Sequence, residues 1–164
     1  MSSRIRSQAL KSKVMSAHDA AALIPPGSTV GMSGFTGSGY PKAVPPQLAQ
    51  RIEDAHAAGD AFRLNLWTGA STGPELDGAL AKADGIERRL PYNSDPIARE
   101  KINSGQMDYL DMHLSQLAPA VWQGVLGPLD TAVIEVSAIN DDGSLVPSSS
   151  IGNNKTWLDP VSYT

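Results

Sequence analysis

The stretch Thr29 to Lys42, Thr-Val-Gly-Met-Ser-Gly-Phe-Thr-Gly-Ser-Gly-Tyr-Pro-Lys, constrains this chain more than any other. It opens as a short apolar run and becomes a loop with Gly31, Gly34, Gly37 and Gly39. A helix is expected from about Pro45, because Pro45 and Pro46 suit a helix's first turn. Strand, glycine loop, helix is the order in which α/β proteins turn backbone N–H groups toward anionic ligands. Gly34, Gly37 and Gly39 run G-x-x-G-x-G, which is not a dinucleotide fingerprint, and no Gly-Lys-Ser/Thr closes a P-loop. Taken alone, the stretch reads equally as a ligand loop or an ordinary glycine turn.

The remaining segments fit the same alternation. Ser16 with Asp19 resembles a capping box, followed by Ala20, Leu23 and Ile24 on one helical face. Pro25-Pro26-Gly27 stops that helix. Leu48, Ile52, Ala55 and His56 form the buried stripe of the helix after the glycine loop, and Gly59 ends it. Phe62 to Trp67 alternates as a strand does and runs into Thr68-Gly-Ala-Ser-Thr-Gly-Pro74. A short helix is expected over Leu76 to Ala83 and a strand over Ile86 to Leu90. Ser94 or Asp95 caps a helix reaching Asn103. Leu114, Leu117, Val121 and Trp122 share a helical face that Pro119 interrupts. Thr131 to Ile139, apolar and β-branched, reads as one strand buried on both faces. Asn140-Asp141-Asp142-Gly143 then makes a hairpin turn into Ser144 to Val146.

Strands alternating with helices imply an α/β fold with a mainly parallel sheet flanked by helices. Ligands of such sheets bind beyond the carboxyl ends of the strands. Four polar loops, at residues 34–40, 69–74, 92–95 and 148–154, are expected to share that rim. Their hydroxyls, amides and glycine N–H groups suit carboxylate, phosphate or thioester oxygens.

Composition removes several classes. The formal charge of −4 over 164 residues, with no basic run, argues against nucleic acid. With no cysteine there is no disulfide, thiolate metal site or cysteine nucleophile, and a cytoplasmic location fits. No segment has the length and apolarity of a membrane span, and the basic first fifteen residues lack the apolar core of a secretory signal. His18, His56 and His113 are scattered, and no His, Asp or Glu set shows metal-ligand spacing. No G-x-S-x-G elbow supports a serine triad. Glu53, Asp54, Glu75, Asp77, Asp84 and Glu87 read as helix-surface or cap charges. Glu135, interrupting an apolar run, reads as paired and structural ahead of being part of a site. Trp67 reads as core ahead of pocket lining.

Three runs in order carry a family resemblance: Gly31 to Lys42, Thr68-Gly-Ala-Ser-Thr-Gly-Pro-Glu-Leu-Asp-Gly78, and Pro147-Ser-Ser-Ser-Ile-Gly-Asn153. Together they resemble the acetyl-CoA hydrolase/transferase family, most closely its succinyl-CoA:acetate CoA-transferase branch, from about Arg4 to Leu158. The resemblance implies a CoA-transferase fold of the NagB/RpiA-like type, with two α/β domains and about three times this length. It implies CoA transfer between an acyl-CoA and a small carboxylate through a glutamyl anhydride and a glutamyl-CoA thioester. CoA is then a substrate, and no bound cofactor or metal is expected. The family's catalytic glutamate lies in the second domain, so no catalytic residue carries over. What carries over is the carboxylate side of the pocket: Ser71, Ser94 where near relatives have threonine, and the wall formed by Gly34, Gly37 and Gly39. The implied partners are the two substrates and a C-terminal catalytic domain, with neither nucleic acid nor membrane; a homodimer is compatible.

After Trp157-Leu158 the family pattern continues through a helix into another strand, whereas here Asp159-Pro-Val-Ser-Tyr-Thr164 closes the sequence. Pro160 is a poor interior helix residue. The expectation is therefore an N-terminal domain, incomplete at its C-terminus and inactive alone. The alternative is a non-catalytic remnant or small-carboxylate binding module.

Overall fold

The computed structural model describes residues 4–161. Five strands form one parallel sheet: β1 (Thr29–Met32), β2 (Leu64–Trp67), β3 (Ile86–Leu90), β4 (Asp108–Tyr109) and β5 (Thr131–Val133), in the order β4-β3-β2-β1-β5. A separate antiparallel hairpin pairs β6 (Val136–Ile139) with β7 (Leu145–Pro147). The helices are α1 (Gln8–Lys11), α2 (Ala17–Ala22), α3 (Val44–Ala57), α4 (Ala79–Lys82), α5 (Pro96–Asn103), α6 (Leu114–Trp122) and α7 (Asn154–Val161). A π-helical turn, Pro74–Gly78, leads into α4.

Both faces of the sheet are covered, as a parallel sheet requires. On one side Val30, Met32, Leu64, Leu66 and Ile86 pack against Leu48 and Ile52 of α3 and Leu80 of α4. Fully burying each such side chain contributes ~1.5–3 kcal/mol. On the other side Trp67 and Leu90 pack against Leu117 and Val121 of α6 and Trp157 of α7. Gly31 makes room there, because a Cβ would lie 2.8 Å from Trp157 Cγ. Trp157 tilts against Trp67 at 53°, centroids 6.1 Å apart, within the preferred range for aromatic pairs.

The strand order places a topological switch at β1. The chain steps from β1 through β2 and β3 to β4 on one side, then returns to lay β5 on the other. The carboxyl ends of the strands at such a switch point are where an open α/β sheet places its ligands.

Several expectations need correction. Thr131 to Ile139 is not one strand buried among neighbours. Only Thr131–Val133 joins the parallel sheet, half-buried at its edge beside β1, and Val136–Ile139 belongs to the hairpin. The break falls at Ile134 and Glu135, where the carboxylate finds polar partners at the rim. Leu23 is exposed, so the buried residues of this segment are Ala21 and Ile24. Leu114 and Trp122 are likewise exposed, leaving Leu117 and Val121 as the inner face of α6. Pro119 is accommodated inside α6; the carbonyl it leaves free is that of Ser115, an exposed residue. Pro160 lies inside α7, in its last turn, and Ser162 to Thr164 fall outside the described residues. The strand at Ile86–Leu90, the hairpin turn and the cap of α2, where Ser16 Oγ accepts from the Asp19 N–H at 3.0 Å, all form as expected. Among the described residues no helix is long and apolar enough to cross a membrane.

Candidate functional site

The four polar loops meet at one end of the sheet. The glycine loop folds back on itself: the Phe35 N–H donates to the Ser38 carbonyl at 2.8 Å, and Thr36 adopts φ 52°. Gly34 is required at the base of this turn, since a Cβ would fall 2.5 Å from both the Ser38 carbonyl oxygen and the Tyr40 nitrogen. Gly39, at φ +69°, sits against Ser150, whose hydroxyl donates to the Ser38 carbonyl at 2.8 Å. Ser38 Oγ donates to Ser149 Oγ at 2.7 Å, and the Asn153 N–H to Ser33 Oγ at 2.8 Å. Gly37 has open space around it.

The glycine loop also reaches the loop after β2. Tyr40 Oη donates to Glu75 Oε2 at 2.6 Å and lies where a Cβ on Gly73 would be, and Gly69 sits against Asn153. The loop after β3 completes the rim, with the Ser94 N–H donating to Ser71 Oγ at 2.9 Å. Ser71 and Ser94 are thus brought together, but through a backbone donor on one and a hydroxyl on the other. Ser71 is fully buried and its hydroxyl donates onward to the Thr72 carbonyl at 3.3 Å. Ser94 is exposed and does not cap α5; Asp95 does, accepting from the N–H groups of Ile97 at 2.9 Å and Ala98 at 3.0 Å.

Charged groups join the segments that follow β1 and β5. Lys42 Nζ donates to Glu135 Oε2 and to the Tyr40 carbonyl, each at 2.9 Å, and lies 4.1 Å from the Tyr40 ring centroid. Ser148 Oγ donates to Glu135 Oε1 at 2.7 Å. Burial pulls the Glu135 carboxyl up, but hydrogen bonds from Lys42 and Ser148 outweigh it and hold the group below its ordinary value. The Tyr40 phenol is pushed up to about 12 by burial, by its bond to Glu75 and by nearby carboxylates. The hydrogen bond from Tyr40 in turn lowers Glu75.

Asp77 is not a surface charge. It is fully buried against an equally buried Arg89, with Nε to Oδ1 at 2.7 Å and Nη2 to Oδ2 at 2.9 Å. Burial opposes its ionisation, yet the guanidinium and the Thr72 donors keep its carboxyl below the ordinary range. Asp84 is an ion-pair hub between Arg63 and Lys101. Trp67 is core, 2% exposed. His18 and His56 lie in helices and His113 precedes α6. Among the described residues no group of three His, Asp or Glu is placed to hold a metal.

Tyr40, Lys42 and Arg89 were not singled out by sequence reasoning. The first two are an aromatic and a cation directly after a glycine loop, which is a usable signal. Arg89 was visible only as the second arginine of the strand expected over Ile86 to Leu90.

Comparison with known proteins follows the same line. Residues 1–162 match the acetyl-CoA hydrolase/transferase N-terminal domain. A succinyl-CoA:acetate CoA-transferase of Clostridium kluyveri is 44% identical over 95% of this chain and 28% of its own length. A propanoyl-CoA:succinate CoA transferase of Escherichia coli K12 is 42% identical, over 88% of this chain and 29% of its own. An acetyl-CoA hydrolase of Schizosaccharomyces pombe is 38% identical, over 93% and 30%. The chain thus spans less than a third of each of these relatives. A crystal structure of an acyl-CoA transferase from Escherichia coli O157:H7 superposes with a TM-score of 0.57 at 15% identity, covering 70% of this chain and 23% of that one; at that identity the likeness speaks to the fold alone. With the match running over nearly every residue, the chain belongs to the acetyl-CoA hydrolase/transferase family, as its N-terminal domain.

Proposed function

We propose that this chain forms the carboxylate-binding side of an enzyme site that moves CoA between an acyl-CoA, such as succinyl-CoA, and a small carboxylate, such as acetate. The observation that carries the reading is the convergence of the four loops, with Ser71 beside Ser94 and the Gly34-to-Gly39 turn joined to them through Tyr40 and Glu75. The rim is rich in donors, as recognition of a carboxylate requires. Each carboxylate at the rim is already an acceptor: Glu135 from Lys42 and Ser148, Glu75 from Tyr40, and Asp77, beneath it, from Arg89 and Thr72. That occupancy favours a nucleophile supplied by the portion of the relatives this chain does not span. The chain's own part is to bind and orient the acid, in the cytoplasm, with CoA as substrate rather than resident cofactor.

The test is a hybrid in which this chain replaces the matching N-terminal segment of the Clostridium kluyveri relative, assayed for CoA transfer from succinyl-CoA to acetate. The chain alone is expected to be inert and the hybrid to turn over. An inert hybrid that is folded and still binds succinyl-CoA would favour a non-catalytic binding module instead.

A further inference from the structure

Two adjacent charges with no access to water sit directly beneath the loops that carry Ser71 and Ser94. Both Asp77 and Arg89 side chains are 0% exposed. A buried ion pair is weak evidence for a stability role, because apolar residues of similar volume often serve the fold as well or better. Its reach explains it better. Asp77 Oδ2 accepts from the Thr72 N–H at 2.9 Å and from Thr72 Oγ1 at 2.8 Å, and Thr72 directly follows Ser71. Arg89 Nη1 donates to the Leu90 carbonyl at 2.6 Å, at the point where β3 gives way to the Ser94 loop. The Ser94 N–H on Ser71 Oγ closes the circuit from the other side.

Two backbone irregularities serve this one contact. The register between β2 and β3 shifts between Leu64 and Asn65, pairing Leu66 with Arg89 and Trp67 with Leu90. Arg89 thereby shares the face of Leu66 while Leu90 packs with Trp67 on the opposite side. Such irregularities re-aim side chains near sites. Asp77 is presented by the π-helical turn Pro74–Gly78, a local form common where function demands it.

We propose that the Asp77–Arg89 pair is a positioning device that locks the Ser71 and Ser94 loops to each other and so sets the spacing of the groups that receive the carboxylate. The proposal rests on the carboxylate reading above for its purpose, and on the circuit of hydrogen bonds for its mechanism.

The two can be separated in the 164-residue chain. Arg89→Lys keeps the charge and loses the fork; Thr72→Val removes one bond to Asp77 and leaves the pair intact. Amide hydrogen exchange of Thr72 and Ser94 is compared with that of Leu66 in the central strand, alongside titration with sodium acetate. In both variants the backbone amides at positions 72 and 94 are expected to exchange about tenfold faster relative to Leu66, as loss of ~1.4 kcal/mol of local protection requires. Acetate binding should weaken by a comparable factor. Acceleration shared equally by Leu66 marks a merely structural pair and overturns the proposal, even where acetate binding survives. Selective loosening in a chain that never responds to acetate upholds the positioning role and removes the carboxylate reading. Should Arg89→Lys fail to fold, Thr72→Val decides the matter by the same comparison.

Discussion

Ser71 and Ser94 stand next to each other with unequal structural duties. Ser71 is buried and receives the Ser94 N–H, so Ser71→Ala should lower stability by ~1 kcal/mol, the usual net worth of a buried hydrogen bond. Ser94 is exposed and Asp95 does the capping, so Ser94→Ala should stay within ~0.5 kcal/mol of the parent. In the hybrid enzyme Ser94→Ala should weaken acetate use by about ten- to a hundredfold, since a hydrogen bond to a charged acceptor contributes ~1.5–3 kcal/mol, whereas Ser71, whose buried hydroxyl already donates to the Thr72 carbonyl, acts through the Ser94 backbone it holds. Urea unfolding and steady-state kinetics with acetate as the varied substrate measure the two effects separately. A Ser94→Ala variant as unstable as Asp95→Ala, or one with unchanged acetate kinetics, would sink this assignment. At Glu135 the residue-scale reading holds: a carboxylate breaking an apolar run implied a partner, and Lys42 and Ser148 supply it. Asp77 shows its limit. Its neighbours in sequence give the pattern of a helix surface, and its real partner lies 12 residues away.

At the level of elements, β1 and α7 are joined through the absence of a side chain. A Cβ on Gly31 would stand 2.8 Å from Trp157 Cγ and 3.0 Å from Cδ2, so the indole must move within a packed cluster. Gly31→Ala should therefore cost ~1–3 kcal/mol, typical of overpacking. Gly37→Ala is the control, with nothing within 4 Å of its Cβ and an expected change within ~0.5 kcal/mol. Thermal unfolding followed by tryptophan fluorescence reads both, and equal midpoints for the two variants would show that α7 does not depend on Gly31. The elements of the site were readable from sequence where local chemistry decides them. Proline and glycine bounded β1, α3 and the loops between them, and apolar spacing placed Leu48 and Ile52 inward. The double-faced burial of Thr131 to Ile139 was misread because an apolar run does not reveal its partners. Half of it pairs with β1 and half with β7, and that choice is made by the polar rim at Glu135. The two-residue β4 and the register shift beside Arg89 left no local trace, since both exist only through pairing with a neighbouring strand.

Over the whole molecule, the shifted groups define a pH window for stability. Asp77, Asp84 and Glu135 have folded carboxyls held below their ordinary values. The unfolded chain then binds more protons between those folded values and the ordinary ~3.9 for Asp and ~4.3 for Glu, so stability rises with pH through that interval, is fully present above it and is lost as pH falls. Tyr40 acts at the other end. Its folded value of about 12 lies above the unfolded one, so its contribution is complete below the ordinary ~10 and fades as pH rises through the folded value. The acid side should be dominated by Asp77. Lys42 and Glu135 are 40% and 31% exposed, Arg63 and Asp84 36% and 39%, and exposed pairs contribute at most ~1 kcal/mol and weaken with salt. Asp77 has no solvent around it, and separating it from Arg89 costs ~3–5 kcal/mol. Urea midpoints should therefore be level from about pH 6 to 9 and decline below about pH 4.5. Carboxyl carbon resonances followed by NMR through the same range should show Glu135 and Asp84 titrating in the folded chain. The Asp77 resonance should keep its ionised position until the chain itself unfolds. An Asp77 signal that titrates at or above the ordinary aspartate value while the fold persists would mean that Arg89 does not hold the charge, and the acid limb would then have to be assigned to the surface pairs.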